Sequence, residues 1–254
     1  MSGWLDPLRA ALDTTPSPVT VFVRDDDAGW EDTRLIALLD LFASHEAPID
    51  LAVIPTELHP KLADDLLQVQ HDGSGRIGLH QHGYCHANHQ SAGRKCEFGA
   101  ARSFEAQYED LAEGKRILEE QLGDVLDPIF TPPWNRCTAD TGAALIELGI
   151  EVLSRDSTAE PLVVAGLDEL VVQVDWFAAR KGARLSRPQL GELLAERAAG
   201  PAPLGVMLHH AVMDTAEFEG VGEMLGVLTG NPNVAMRSMA EIAHGMKLTK
   251  GSTR

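Results

Sequence analysis

Short apolar runs alternate with stretches of helical period along nearly the whole chain. Residues 19–23, 49–54, 76–79, 128–130, 151–153, 170–174, 204–208 and 234–236 read as strands. Residues 35–42, 60–70, 104–122, 139–148, 188–198 and 217–228 carry helical spacing, and a closing helix begins at Met239. Strands alternating with helices imply a parallel sheet. Seven or eight such units within 254 residues predict an α/β fold, an irregular (β/α) barrel with about seven parallel strands. There is no internal repeat and no low-complexity linker, and 200–203 (GPAP) reads as a turn, so a single domain over residues 1–254 is expected.

The polar clusters follow strands, not helices. Asp25-Asp26-Asp27, the histidines between 80 and 89, 131–136, Asp175-Trp176 and His209-His210 all stand after apolar runs. In a barrel of parallel strands these ends share one face, so groups distant in sequence converge. Residues 81–102 lack periodicity and form a long loop, a common carrier of function.

Charge and composition narrow the partners. A formal net charge of -17 argues against nucleic-acid binding through phosphate neutralisation, and against an anionic membrane surface. Residues 1–15 contain no basic segment followed by an apolar one, and no window approaches the roughly 20 apolar residues of a membrane span. Three cysteines, an odd count, read as reduced thiols, and a cytoplasmic location is expected. The expected partner is a small molecule or glycan; the oligomeric state is not legible.

Three adjacent carboxylates repel one another unless a cation is near, and Arg24 is a local candidate. Strand alternation sends Asp25 and Asp27 to one side and Asp26 to the other. The bland alternative is a turn or helix-capping cluster. His82 and His86, four apart, would share one face of a helical turn and could grip a divalent metal with a third, anionic ligand. The alternative is a solvated His-rich loop, since His80 and His89 are close by. His209-His210 offers a general acid, or else one packed and one solvated imidazole. Pro132-Pro133-Trp134-Asn135 is a stiff turn that could wall a pocket or bury its indole, and Asp175-Trp176 repeats the pairing. Cys85 has no paired spacing and reads as a spectator thiol, while Glu97 and Arg102 read as a pair ordering the loop. No nucleophile elbow, phosphate-binding loop or dinucleotide fingerprint is present.

Taken in order, these clusters resemble the motifs of the polysaccharide deacetylases of carbohydrate esterase family 4. Arg24-Asp25-Asp26-Asp27 resembles the family's Thr-Phe-Asp-Asp element, and His82-Gly83-Tyr84-Cys85-His86 its His-Gly-Tyr-x-His element. Phe130-Thr131-Pro132-Pro133-Trp134, Asp175-Trp176 and Val206-Met207-Leu208-His209 resemble the later ones. The resemblance implies a metal triad of Asp27, His82 and His86, with zinc as the expected ion. It implies Asp26 as general base and His209 as general acid, with His210 as the alternative acid. A shift by one residue would make Asp25 the base and Asp26 the ligand. Tyr84, Pro133, Trp134, Arg136, Asp175 and Trp176 are the implied substrate-side residues, the backbone N–H of Trp134 facing an oxyanion. The family's arginine in the third element is Thr131 here, so Arg24 or Arg136 would have to substitute. The implied activity is metal-dependent hydrolysis of N-acetyl groups on a sugar or glycan. The alternatives are an amidohydrolase acting on a small amide or cyclic C–N bond, and a sugar-binding barrel whose chemistry has decayed.

Overall fold

The computed structural model describes residues 3–73 and 76–251. In chain order it comprises α1 (Asp6–Thr14), β1 (Val19–Ala28), α2 (Asp32–Ser44), β2 (Pro48–Val53), α3 (Pro60–Asp72), β3 (Arg76–His82), α4 (Phe104–Leu122), β4 (Leu126–Thr131), α5 (Ala139–Glu147), β5 (Val152–Leu153), β6 (Asp168–Glu169) and β7 (Val174–Asp175). A hairpin of β8 (Ala179–Arg180) and β9 (Ala183–Arg184) follows, then α6 (Arg187–Ala198), β10 (Leu204–Leu208), α7 (Thr215–Thr229), β11 (Val234–Met236) and α8 (Met239–Gly251).

The main sheet is parallel, in the order β6-β5-β4-β3-β2-β1-β10-β7, with β11 added to the first residues of β1. It is a curled half-barrel rather than a regular closed one. The two ends approach through residues 168–175. Leu170 N–H bonds to Leu153 at one end of that segment, and Gln173 N–H bonds to Gly205 at the other, 2.9 Å each. The continuous strand expected at 170–174 is therefore broken, because its backbone changes partner midway. No membrane-crossing helix is found among the described residues, none being long and apolar enough.

β1 shows how the layers are built. Val21 and Val23 join the outer core, where α2 contributes Leu35, Leu38 and Phe42 and α7 contributes Val221, Met224 and Leu228, spacings that put one apolar stripe on the sheet. Phe22 points the other way and packs inside the curl with Ile129, Val152, Val172 and Met207. α8 seats Met239 and Ile242 in this inner cluster and plugs the N-terminal mouth. The fully buried Asp50 of β2 holds α8 there by accepting the Met239 N–H, at 3.1 and 3.0 Å to its two oxygens. The inner layer therefore runs from Phe22 at the bottom through Arg24 to Asp26 at the open, C-terminal end. α1 stands outside the expected elements: it is only nine residues long and buries only Leu8 and Leu12, too short an apolar period to mark a helix in the sequence.

Candidate metal and active site

The open end of β1 departs from simple alternation. Asp25 points outward, as Val21 and Val23 do, and is completely buried. Asp26 and Asp27 both face the cavity at the sheet's C-terminal end. Alternation placed Asp27 with Asp25. The backbone overturns this: Asp27 is left-handed at φ 70°, and the β1–β2 register shifts between Asp25 and Ala28. This bulge re-aims one side chain. A non-glycine residue held at positive φ costs about 1–3 kcal/mol, a strain that concentrates at functional sites.

His82 ends β3 and His86 lies in the loop beyond it. The expected helical turn is absent: Gly83 at φ 59° and His86 at φ 54° fold the loop back instead. Asp27 Oδ1 lies 3.2 Å from Nε2 of His82 and 3.2 Å from Nε2 of His86. One ligand atom from each of the three groups falls within 4.8 Å of the others. Donors about 2.1 Å from a tetrahedral ion stand about 3.4 Å apart, so the three fit a zinc-sized cation. His82 is also oriented for it, because Nδ1–H donates to the Thr131 carbonyl at 3.0 Å and leaves Nε2 facing the cavity. The His86 ring is clamped edge-on between Trp30 and Trp134, at centroid distances of 4.9 and 4.5 Å. Burial opposes ionisation of Asp27, but hydrogen bonds from His82 and His86 override it and hold its carboxyl well below the usual range. Burial likewise disfavours charge on His82, and its bond to Asp27 reverses the sign, raising its pKa.

Asp26 is held by a buried guanidinium. Arg24 Nε bonds to Oδ1 at 2.7 Å and Nη2 to Oδ2 at 2.9 Å. The same guanidinium donates to Ser154 Oγ at 2.7 Å and to Asn135 Oδ1 at 2.9 Å, so its plane is fixed from several elements. Burial pushes the Asp26 pKa up; the Arg24 charge outweighs this and keeps it below the usual range. Of the two arginines considered as substitutes, Arg24 is the one paired with Asp26. Arg136 is not: its Nη1 donates to the Lys95 carbonyl at 2.7 Å. Thr131 instead bonds through Oγ1 to His80 Nε2 at 2.9 Å. Burial, then the Arg24 charge, pulls the His80 pKa down to about 3, so this imidazole is neutral.

The two adjacent histidines divide. His209 lines the cavity, its Nε2 4.0 Å from Asp26 Oδ2. His210 is turned away and fully buried. Its Nδ1 meets Asp25 Oδ2 at 2.5 Å and its Nε2 meets the Trp30 carbonyl at 2.6 Å. Both partners accept, so both ring nitrogens donate and the ring is an imidazolium. Burial works against that charge, but Asp25 prevails and lifts the pKa to about 9. The geometry therefore corrects the His210 expectation: its protons are committed to the frame, and Asp25 is committed with it.

The cavity holds about 450 Å³ and is lined by Asp26, Asp27, Trp30, His82, His86, Lys95, Trp134, Asn135 and His209. Of the substrate-side expectations, only Trp134 lines it. Trp176 is in the core, its indole N–H bonded to Glu217 at 2.5 Å and its ring edge-on to Trp4. Asp175 caps its own turn, accepting the Phe177 N–H at 2.8 Å. Tyr84 packs against the cluster around Phe98 and Phe130. Pro133 is buried beside Gly83, where a Cβ would lie 2.6 Å from its ring.

Asn135 lies in the turn read as a possible pocket wall, whereas Trp30 and Lys95 are loop residues with no periodic signal in the sequence. Glu97 matters more than its expected pairing with Arg102, which bonds Asp110 instead at 2.6 Å. The Glu97 carboxylate is fully buried and accepts the backbone N–H groups of Tyr84, Cys85 and Ala87 at 3.2, 2.9 and 3.2 Å. It thereby draws together the loop that presents His86. Burial, with Glu97 next, pushes the Cys85 thiol up to about 11, which leaves it a spectator.

No family model matches the sequence, and neither does any curated protein. Solved structures do match in fold. A protein described as a polysaccharide deacetylase from Mycobacterium smegmatis superposes with a TM-score of 0.68 at 15% identity, over 93% of this chain and 96% of that one. The chain has the polysaccharide-deacetylase fold. A family 4 carbohydrate esterase from Streptomyces lividans, solved with acetate, gives 0.56 at 11% identity over 86% and 92% of the two chains. A peptidoglycan deacetylase from Bacillus subtilis gives 0.57 at 11% identity over 94% and 96%.

Proposed function

We propose that this chain is a metal-dependent deacetylase that hydrolyses N-acetyl groups on a sugar or glycan. Asp27, His82 and His86 would hold the divalent ion, zinc by the chemistry of the donor set. When bound, the ion supplies Lewis acidity to an acyl carbonyl and lowers the pKa of water. The chain's own groups do the rest. Asp26 accepts the proton of the attacking water, its two oxygens held by Arg24. The C–N bond breaks, and His209 gives a proton to the departing amine nitrogen. Trp30 and Trp134 wall the cavity and hold the His86 ring. Products are acetate and a free amine.

The observation that carries this reading is one cavity joining the Asp27–His82–His86 triad, a carboxylate base and a histidine acid. The test is acetate release from N-acetylglucosamine oligomers by protein loaded with zinc, manganese or cobalt. Asp26→Asn and His209→Ala should each lower kcat by about 10²–10⁴-fold while metal stoichiometry stays unchanged. Turnover confined to small non-carbohydrate amides, or glycan binding without turnover, would contradict the proposal.

A further inference from the structure

The chain carries 38 acidic residues against 21 lysines and arginines. Most of its bases find a carboxylate, as Arg102 does in Asp110 and Arg155 in Glu169. Among the described residues, Arg9, Arg94, Lys95, Arg136, Arg180 and Lys181 have no carboxylate within 4.0 Å. Arg9 lies on α1, in a separate cleft beside Glu223. The other five lie in the segments that follow β3, β4 and β7, all at the C-terminal end of the sheet where the cavity opens.

Their placement ties them to the site. Lys95 lines the cavity, its Nζ 5.7 Å from the centroid of Trp134. Arg136 reaches back to the Lys95 carbonyl and joins the two loops on that side. On the other side, Arg180 and Lys181 are exposed on the β8–β9 hairpin. Phe177, just before that hairpin, has its ring 6.4 Å from that of the cavity-lining His209 and is covered by Arg184 of β9 at 4.2 Å. Five of the six uncompensated bases of an acidic protein thus lie at the end of the sheet where the cavity opens. Positive charge at that end raises the local concentration of anions and leaves neutral ligands unaffected.

We propose that the N-acyl substrate is anionic, with carboxylate or phosphate groups flanking the acylated unit. The proposal rests on the deacetylase reading of the same cavity. Lys95 meets a charge next to the acyl group, and the hairpin meets one a sugar unit away.

Calorimetry on the zinc-loaded protein tests this. Tetra-N-acetylchitotetraose is compared with a hyaluronan tetrasaccharide for the carboxylate source. N-acetylglucosamine is compared with its 6-phosphate for the phosphate source. At low salt, the anionic member of at least one pair should bind about 10-fold tighter. The advantage should fall below about 3-fold in 0.5 M salt, where the Debye length is only a few ångströms. It should fall similarly in Lys95→Gln and in the double variant Arg180→Gln/Lys181→Gln. Equal affinities within both pairs, no measurable binding of any probe, or a preference that survives both salt and substitution would overturn the proposal. Acetate release in the same solutions reads the deacetylase claim separately. Tight anion-dependent binding without acetate sinks the chemistry and keeps the preference. Turnover with equal affinities within both pairs does the reverse.

Discussion

At the scale of single residues, the site is an exercise in separating neighbours. Asp25, Asp26 and Asp27 are consecutive, yet each has its own cation or hydrogen-bond donor: His210, Arg24, and the pair His82 and His86. The repulsion that makes such a triplet costly is thereby removed. The residue types were legible in sequence because three carboxylates after an apolar run demand partners. Their directions were not, since a left-handed Asp27 breaks the alternation that sequence periodicity assumes. The Asp25–His210 pair also gives a stability signature. The folded pKa of His210, about 9, lies above its unfolded value of about 6.5. Its charged form therefore stabilises the fold fully below pH 6.5, and the contribution fades as pH rises to about 9. His210→Gln should cost about 3 kcal/mol more at pH 6 than at pH 9.5 in denaturant titrations. Equal costs at both pH values would mean that the ring is neutral.

At the scale of elements, regular structure with strong local signals was readable. α4 has its Ser103 cap bonding to the Ala106 N–H, and its bounds of 104–122 match the amphipathic run. β10 and β11 also coincide with their apolar runs, 204–208 and 234–236. The exposed β8–β9 hairpin was not readable, because it buries no apolar face. The irregularity of the loop at 81–102 is legible in its missing periodicity, but the carboxylate that organises it is not, since its partners are backbone amides that no side-chain pattern reveals. Glu97→Ala would leave the N–H groups of Tyr84, Cys85 and Ala87 without their acceptor, at about 1–3 kcal/mol for each that stays dry. We expect zinc affinity to fall about 10–100-fold, with Glu97→Gln intermediate. A loss of stability with unchanged zinc affinity would show that Glu97 supports the fold but not the position of His86.

At the scale of the whole molecule, the curled sheet is an instrument for convergence. Asp27 comes from β1, His82 from β3, His86 from the loop after it, and His209 from the end of β10. An ion bound by the first three would tie β1 to β3, so it should stabilise the fold by mass action. Zinc at about 100 times its Kd adds about 2.7 kcal/mol, read as a rise in Tm that chelation reverses. The alternation of strands and helices made this architecture legible. Its incomplete closure was not, because it depends on the change of partner along residues 168–175. Whether three side chains from this frame share one metal ion is read by anomalous diffraction at the zinc edge on zinc-soaked crystals. A shared ion gives a single strong peak about 2.0–2.2 Å from a carboxylate oxygen of Asp27 and from Nε2 of both His82 and His86. A zinc peak bound elsewhere, or none in the cavity at saturating zinc, would contradict it.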